Sequence, residues 1–404
     1  MSQTHSNPQS LRLNTVQLGA LAVAAIGLVF ALIGAIVDID AFMQAYLVAF
    51  LFWLELSLGC LALLMIPVLV GARWNVAVER FAAAGARTLP LLALLFIPIM
   101  LGMGVLYEWT EAVAPPGTNA AHYSYNTPFL FVLRAVFYFT VWIGLAYGLT
   151  SWSYASDDEN LTPERRKTLA QRSHLFSVIG TILFFVTVTG AAFDWSMSID
   201  DDWFSSIYGW LTISRAGLSV AAFVVIAAAF YWAKEPLKSV LDGRSFADLS
   251  AILFAALLSW MYLSFMQYLV IWSGNVSSKA VWFVQRTEGA WEGFAIFLVV
   301  IHMALLILLM VPNLKRIRGV LVGFALVLFV MRLFDLYWVI QPTFEPNFTL
   351  AWWAIALPLG MGGLWILLFL WSLESHKLVP VNHPEIAQSV HDGAAPAEAE
   401  AETS

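Results

Sequence analysis

Cysteine and charge are both scarce in this sequence. Cys60 is the single cysteine among 404 residues, which excludes a cysteine-ligated iron–sulfur cluster and a Cys-x-x-Cys-His haem attachment within the chain. Of the seven histidines, only His174 and His302 fall in apolar stretches. Their predicted depths differ, so they are poor partners for a bis-histidine haem. We therefore expect this chain to bind no redox cofactor and no metal by itself.

Other common functional motifs are missing as well. The sequence has no phosphate-cradling glycine-rich loop with its lysine, no His-Glu-x-x-His, and no basic stripe of the kind that binds nucleic acid. Charged residues make up only 12% of the chain, with a net charge of −7. These features exclude nucleic acid as a partner and leave the lipid bilayer as the expected surroundings.

The sequence is instead rich in long apolar runs. Hydrophobic residues account for 60% of the chain and the mean hydropathy is +0.78. Runs of about 20 residues match the roughly 30 Å hydrocarbon core at about 1.5 Å per helical residue. We predict an all-α integral membrane protein of about ten spans, at residues 16–37, 45–71, 88–108, 129–152, 174–194, 207–232, 250–272, 291–311, 319–340 and 350–373.

Charge is distributed unevenly between the loops. The loops after spans 2, 4, 6 and 8 hold Arg73, Arg80, Arg87, Arg165, Arg166, Lys167, Arg172, Lys234, Lys238, Arg244, Lys315, Arg316 and Arg318. The odd-numbered loops hold Asp38, Asp40, Glu108, Glu111, Asp200 to Asp202 and Glu345, with Lys279 and Arg286 as the basic exceptions. The positive-inside rule therefore predicts that both termini are cytoplasmic, as an even number of spans requires.

The two ends of the chain differ from the membrane domain, which we place at residues 15–375. Residues 1–14 form a polar cytoplasmic segment without the basic and small-residue pattern of a cleaved signal peptide. Residues 376–404 are rich in alanine, proline and glutamate, a composition that buries too little apolar surface to fold alone. We expect a disordered acidic cytoplasmic tail.

A small set of ionisable residues lies inside the predicted spans. Such residues cost about 2.5 to 3.5 kcal/mol each at mid-bilayer and are functional candidates by default. Helix direction places nearly all of them in the outer half of the membrane, with His302 near the centre. The proton-pathway candidates are Glu55, Asp194, His302 and Asp335 inside the spans and Asp200 in the outer loop after span 5, and the candidate charge partners are Arg134, Arg215 and Arg332.

The sequence allows more than one role for each of these residues. Arg332 and Asp335 are three residues apart and share a helix face, as a structural ion pair or a proton-handling pair would. Asp194 has Arg134 or Arg215 as a possible partner. Glu55 has no basic residue on its own span, which favours a proton relay. His302 is a hydrogen-bonded core histidine, a proton relay or a hydrogen-bonding partner of a quinone.

A short repeat links the two halves of the membrane domain. Phe193-Asp194 near the end of span 5 recurs as Phe334-Asp335 near the end of span 9, four spans later and in the same orientation. A repeated four-helix unit produces this pattern. We therefore predict two four-helix bundles, spans 2–5 and spans 6–9, with spans 1 and 10 flanking them.

Two motifs carry a resemblance to a known family. The stretches "WSMSIDDDWFSSIYGW" (195–210) and "WMYLSFMQYLVIWSGN" (260–275) resemble ActF, the NrfD/PsrC-like membrane subunit of alternative complex III. This bacterial inner-membrane complex oxidises quinol and reduces cytochrome c or a blue-copper protein. The resemblance covers all ten spans. It implies a subunit that is part of an oxidoreductase but not an enzyme alone.

The resemblance also implies partners and a division of labour. The partners are an NrfD-like paralogue that holds most of the quinol site, a multihaem c-type cytochrome and an iron–sulfur subunit. The haem c and iron–sulfur clusters lie in those partners, whereas this subunit carries a proton path and has quinol or quinone as a possible ligand. Alternatives are the quinol-binding subunit itself, a polysulfide-reductase-like membrane anchor, or, in another class, a secondary transporter.

The chain departs from the family pattern at two places. Family members often read Met-Ser-Leu-Glu-Pro-His-Trp where this chain has residues 197–203, so only Asp200 inherits the family's acidic position. After Asn275, the family's Pro-Glu-Glu is replaced by residues 276–279, Val-Ser-Ser-Lys. An acidic role for that second outer loop is therefore in doubt.

Overall fold

The described part of the chain contains ten helices that are long and apolar enough to span a membrane. A computed structural model describes residues 14–70, 75–110, 125–158, 161–233, 237 and 243–378, and no strand occurs among them. This confirms the predicted all-α integral membrane fold. Spans 1 to 10 are Thr15–Val37, Ile39–Val70, Val78–Leu101, Pro128–Ala155, Pro163–Ile199, Tyr208–Tyr231, Ser245–Gly274, Ala290–Met310, Arg318–Phe344 and Trp353–Glu374.

Several helices extend beyond the apolar stretches that predict them. Span 5 begins at Pro163, eleven residues before His174, which the sequence places at its start. Thr162 caps this helix, because its side-chain oxygen accepts a hydrogen bond from the Arg165 N–H at 3.3 Å, and proline suits the first helical position. His174 is therefore an exposed residue within the helix. Hydropathy marks the apolar part of a helix, whereas the caps mark its ends.

Span 3 is broken into short helices. They are Asn75–Ala86, Leu89–Leu95, Ile97–Leu101 and Met103–Leu106. Proline lies in the first turn of the second and the third of these helices, where its missing N–H does least harm. The prediction of one continuous helix over 88–108 is therefore wrong. The span also starts earlier than predicted, at Val78.

The earlier start moves Arg80 from its predicted loop into the protein interior. Its side chain is buried and its terminal nitrogen lies 2.7 Å from both carboxylate oxygens of Asp157. The guanidinium also packs against the ring of Tyr154, at 5.0 Å from the centroid. A bidentate partner and an aromatic face allow an arginine to be buried here. Arg87 directly follows the first helix of span 3. Its Nε donates a hydrogen bond to the Thr150 hydroxyl at 2.9 Å.

The helices group as the repeat predicts. Spans 2, 3, 4 and 5 pack in a ring in which each contacts the next and span 5 returns to span 2. Spans 6, 7, 8 and 9 form a second ring in the same way. Span 2 also contacts spans 6, 9 and 10, and 94% of its most apolar stretch is buried. Span 2 is therefore the axis on which the two bundles meet.

Small residues bring key helix pairs into close contact. A Cβ on Gly59 of span 2 would lie 2.3 Å from the carbonyl oxygen of Ala216 on span 6, so only glycine permits this approach. A Cβ on Gly27 of span 1 would lie 2.2 Å from the Cα of Gly360 on span 10. Close backbone approach through small residues is a common basis of helix association in membranes. The first contact joins the two bundles and the second joins the flanking spans.

The flanking spans are also linked by hydrogen bonds at one end. The side chains of Asn14 and Gln17 donate to the two carboxylate oxygens of Glu374 at 2.7 and 2.8 Å. Apart from Asn14 and residues 376–378, the predicted N-terminal segment 1–14 and tail 376–404 lie outside the described residues.

Candidate functional site

A buried ion cluster lies in the second bundle. Arg332 and Asp335 are one turn apart on span 9, and an Arg332 terminal nitrogen lies 2.7 Å from Asp335 Oδ2. Arg215 of span 6 donates from Nε to the same oxygen at 3.1 Å. All three side chains are at most 6% exposed. The predicted Arg332–Asp335 pair is therefore present, but it is one half of a cluster that joins two helices.

Glu55 completes the charge balance of this cluster. It projects from span 2, is 3% exposed, and interacts electrostatically with Arg215, Arg332 and Asp335. Two guanidinium groups face one carboxylate in the cluster, so an ionised Glu55 brings the total charge to zero. Buried charges are retained when they are compensated in this way. No described residue donates a hydrogen bond to Glu55 Oε2. Glu55 is thus the acid whose protonation changes the cluster's charge.

Gly59 sets the position of Glu55 relative to this cluster. It lies one helical turn after Glu55, and its contact is Ala216, the residue that follows Arg215. The close approach of the two backbones therefore occurs beside the two charged side chains. Nothing in the sequence marks Gly59, because a glycine in an apolar helix carries no signal until its neighbour is known.

His302 lies at the edge of the cluster. Its Nδ1 is 2.8 Å from the Leu298 carbonyl oxygen, which requires the proton on Nδ1 in the neutral ring. The imidazole packs on Trp260 with ring centroids 4.3 Å apart, and Trp260 in turn faces the Arg332 guanidinium at 4.9 Å. No described residue bonds to His302 Nε2. The Nδ1 bond is the one expected of a hydrogen-bonded core histidine. The unprotonated Nε2 can accept a further hydrogen bond.

A second ion pair occupies the first bundle. Arg134 of span 4 donates from Nε to Asp194 Oδ2 at 2.7 Å, and the Tyr138 hydroxyl donates to the same oxygen at 2.9 Å. Asp194 therefore pairs with Arg134 rather than with Arg215, the other partner that the sequence allowed. Arg134 is held in turn by the Tyr125 carbonyl at 2.9 Å and by the Tyr125 ring at 3.9 Å. Its side chain is 17% exposed, so this cluster reaches solvent or lipid headgroups.

A small cavity lies beside Glu55, between spans 2, 5 and 6. It has a volume of about 20 Å³, and its polar lining comes from Glu55, Trp195, Ser196 and Thr212. The Ser196 hydroxyl is hydrogen-bonded to the hydroxyl of Tyr208. The Tyr208 ring lies 5.5 Å from the Arg215 guanidinium. The cavity therefore joins the end of span 5, which carries Asp194, to the ion cluster of the second bundle.

The acidic run after span 5 forms a compact turn at the predicted outer end. The Asp202 N–H donates to Asp200 Oδ1 at 3.1 Å, and Lys279 donates to the Asp202 carbonyl at 3.2 Å. Asp200 is half-buried, and this burial raises the pKa of its carboxyl above the usual range, although the Asp202 N–H and Arg286 oppose the shift. The acidic run thus contacts Lys279 and interacts electrostatically with Arg286, the two basic residues of the otherwise acidic loops.

Arg286, one of the two basic exceptions to the loop charge pattern, is a structural residue. It lies on the helix Ser277–Thr287 and is fully buried. Its guanidinium donates to the Val339 carbonyl at 3.1 and 2.7 Å, to the Trp282 carbonyl at 2.9 Å and to Thr343 at 2.6 Å. It therefore fastens this short helix to the end of span 9. The sequence does carry a signal for this role, because an arginine in a predicted acidic loop indicates a specific local partner.

Buried polar contacts also occur towards the other end of the first bundle. Besides the Arg80–Asp157 pair, the Ser57 and Thr88 hydroxyls lie 2.7 Å apart, and the Trp365 indole donates to Ser57 at 2.8 Å. The prediction that nearly all membrane charges lie in one half therefore omits the Arg80 pair. Among the described residues, no three histidine, cysteine, aspartate or glutamate side chains group in a way that could hold a metal.

Comparison with protein-family models and with curated protein sequences finds no match to this chain.

Proposed function

We propose that this chain is a cofactor-free membrane subunit of a bacterial quinol-oxidising electron-transport complex of the alternative complex III type. In this proposal it works beside an NrfD-like paralogue, a multihaem c-type cytochrome and an iron–sulfur subunit in the inner membrane. Its own task is to conduct protons. The resemblance of residues 195–210 and 260–275 supports the family, and the buried charge cluster supports the task.

The observation that carries the proposal is the charge count around Glu55. Asp335 lies between two guanidinium groups and stays ionised, because protonating it would leave two buried cations against at most one anion. Glu55 has an unpaired carboxylate oxygen among the described residues. A proton that binds there changes the cluster from neutral to a single positive charge. Binding and release at Glu55 therefore need no helix movement and no broken ion pair.

Quinol oxidation releases protons, and a proton-binding site such as Glu55 would carry them within the membrane. Quinol releases two electrons and two protons on oxidation, and the electrons would leave through the haem and iron–sulfur partners. Protons need polar groups inside the bilayer, where a charge is costly unless it is paired or hydrated. Glu55 would bind the proton, Arg215 and Arg332 would hold Asp335 as a fixed anion, and the Nε2 of His302 would accept a hydrogen bond nearby.

Purification in mild detergent tests the assignment to a complex. We expect c-type haem and iron–sulfur subunits to co-purify with this chain. A lone, colourless polypeptide would contradict the proposal. If that polypeptide took up a solute in vesicles, a secondary transporter would replace the electron-transport subunit as the proposed function.

Substitution of Glu55 by glutamine tests the proton role. Glu55→Gln keeps the side-chain shape and removes the titratable proton, so we expect fewer protons translocated per electron in vesicles while the complex remains assembled. Glu374→Gln is the matched control, since the same substitution falls at a carboxylate outside the ion cluster, where it accepts hydrogen bonds from Asn14 and Gln17 at the start of span 1. Equal proton-to-electron ratios in Glu55→Gln and wild type would reduce Glu55 to a charge partner.

A further inference from the structure

The cavity beside Glu55 has the size and lining of a site for one water molecule. A cavity needs about 10 to 15 Å³ of space open to a water-sized sphere to hold one water, and this cavity offers about 20 Å³. The remaining lining is apolar and comes from spans 2 and 5: Leu51, Leu54, Leu58, Val188, Ala191 and Ala192.

The polar groups of the lining are complementary to a water molecule. Glu55 Oε2 is an acceptor, and Trp195 Nε1 is a donor only. Neither atom bonds to any described residue, although both are buried. Buried polar groups are nearly always hydrogen-bonded, to protein or to ordered water. The Ser196 hydroxyl, which bonds to Tyr208, adds a third group that both donates and accepts.

We propose that one water molecule binds in this cavity between Glu55, Trp195 and Ser196. It accepts from the Trp195 indole N–H and donates to the Glu55 carboxylate, and its second hydrogen points to the Ser196 hydroxyl. These three bonds match the number that buried waters usually make. The binding of the water stands on the cavity and its lining alone, whereas its use as a relay rests on the proposed function.

As a relay, this water gives Glu55 a hydrogen-bonded exit toward the acidic loop. Protonated Glu55 passes its proton to the water oxygen while the water passes one of its own protons to the Ser196 oxygen, and Ser196 passes its hydroxyl proton to Tyr208. Tyr208 accepts this proton as it releases its own hydroxyl proton to a water molecule on its far side, so each oxygen gains one proton and loses one. No group is oxidised or reduced, and one positive charge moves from Glu55 past Tyr208 at the start of span 6.

High-resolution cryo-electron microscopy of the assembled complex tests the site directly. We expect a density peak about 2.7 to 3.2 Å from each of the three polar atoms. Ala192→Val fills the cavity from span 5 and should remove the peak. Ala170→Val is the matched control, since it places the same substitution at an exposed residue of the same helix and should keep the peak.

A second variant covers the case in which Ala192→Val fails to assemble. Trp195→Phe keeps an aromatic ring but removes the only indole donor in the lining, so the peak should weaken or vanish. The proposal is overturned if wild type shows no peak at a resolution that resolves other buried waters, or if Trp195→Phe leaves the peak unchanged. A peak in wild type together with normal proton translocation in Glu55→Gln would keep the water site and reject the proton role.

Discussion

Asp194 and Asp335 lie in the C-terminal halves of the fourth helices of their bundles, and each is held by an arginine from another helix. Arg134 binds Asp194 at 2.7 Å and Arg215 binds Asp335 at 3.1 Å. The two sites differ in their second partner, because Asp335 also binds Arg332 on its own helix, whereas Asp194 accepts a hydrogen bond from Tyr138. The Phe-Asp repeat therefore marks matching acids in two bundles, and only one of them carries a second guanidinium.

This difference predicts unequal costs of removing the two acids. Asp335→Asn leaves two buried guanidinium groups without their shared anion, and breaking a buried pair in this way costs about 3 to 5 kcal/mol. Asp194→Asn should cost less, since Arg134 is partly exposed and can be solvated. Thermal unfolding of the purified variants measures the order. A larger loss for Asp194→Asn would contradict the assignment of Asp335 as the central anion.

The contact between spans 2 and 6 predicts a glycine-specific defect. Gly59→Ala places a Cβ 2.3 Å from the Ala216 carbonyl oxygen, so the helices must separate and Glu55 must move away from Arg215. We expect lower thermal stability and slower proton transfer. Gly217→Ala is the control, since its Cβ would meet nothing within 4 Å, and alanine favours a helix over glycine by about 0.5 to 1 kcal/mol. Similar melting temperatures for the two variants would show that the close approach is unimportant.

The half-buried Asp200 predicts a pH-dependent stability. Because the folded protein raises the pKa of this carboxyl, its protonated form is favoured in the folded state. The resulting stability is present below the unfolded pKa of about 3.9 and is lost as the pH rises through the folded pKa. Asp200→Asn keeps an oxygen acceptor for the Asp202 N–H and removes the ionisation. The variant should therefore gain stability relative to wild type as the pH rises from about 4 to neutrality.

Thermal unfolding at several pH values measures this effect. A stability difference between Asp200→Asn and wild type that stays constant with pH would show that Asp200 does not titrate differently on folding. A difference that falls as the pH rises would reverse the sign and indicate that the folded state stabilises the carboxylate.

The predicted orientation can be tested with introduced cysteines. Cys60 is the only native cysteine and is buried, so the parent chain should not react with a membrane-impermeant maleimide. Asp202→Cys lies at an exposed residue of the predicted outer loop, and Glu164→Cys lies at an exposed residue of the opposite end. In intact cells we expect labelling of the first variant only, and of the second after the cells are opened. The reverse pattern would contradict cytoplasmic termini.

The sequence alone determined the helical class, the number of spans and the identity of most buried charges. Hydrocarbon thickness sets the length of a membrane helix, so apolar runs can be counted without knowing how they pack. An ionisable residue inside such a run needs a partner wherever it faces. For this reason Glu55, Asp194 and Asp335 were recognisable as candidates before any contact was known.

Tertiary structure alone decided which of these residues meet. Asp194 had two candidate arginines, and the packing of span 4 against span 5 selected Arg134. Gly59 and the cavity beside Glu55 have no local signal, because a close approach and a void each depend on residues far away in the chain. Arg80 and Arg286 resemble loop residues by composition, and only the partners supplied by other helices make their burial possible. Hydropathy depends only on the residues of one helix, whereas ion pairing depends on the side chains of the helices that pack against it.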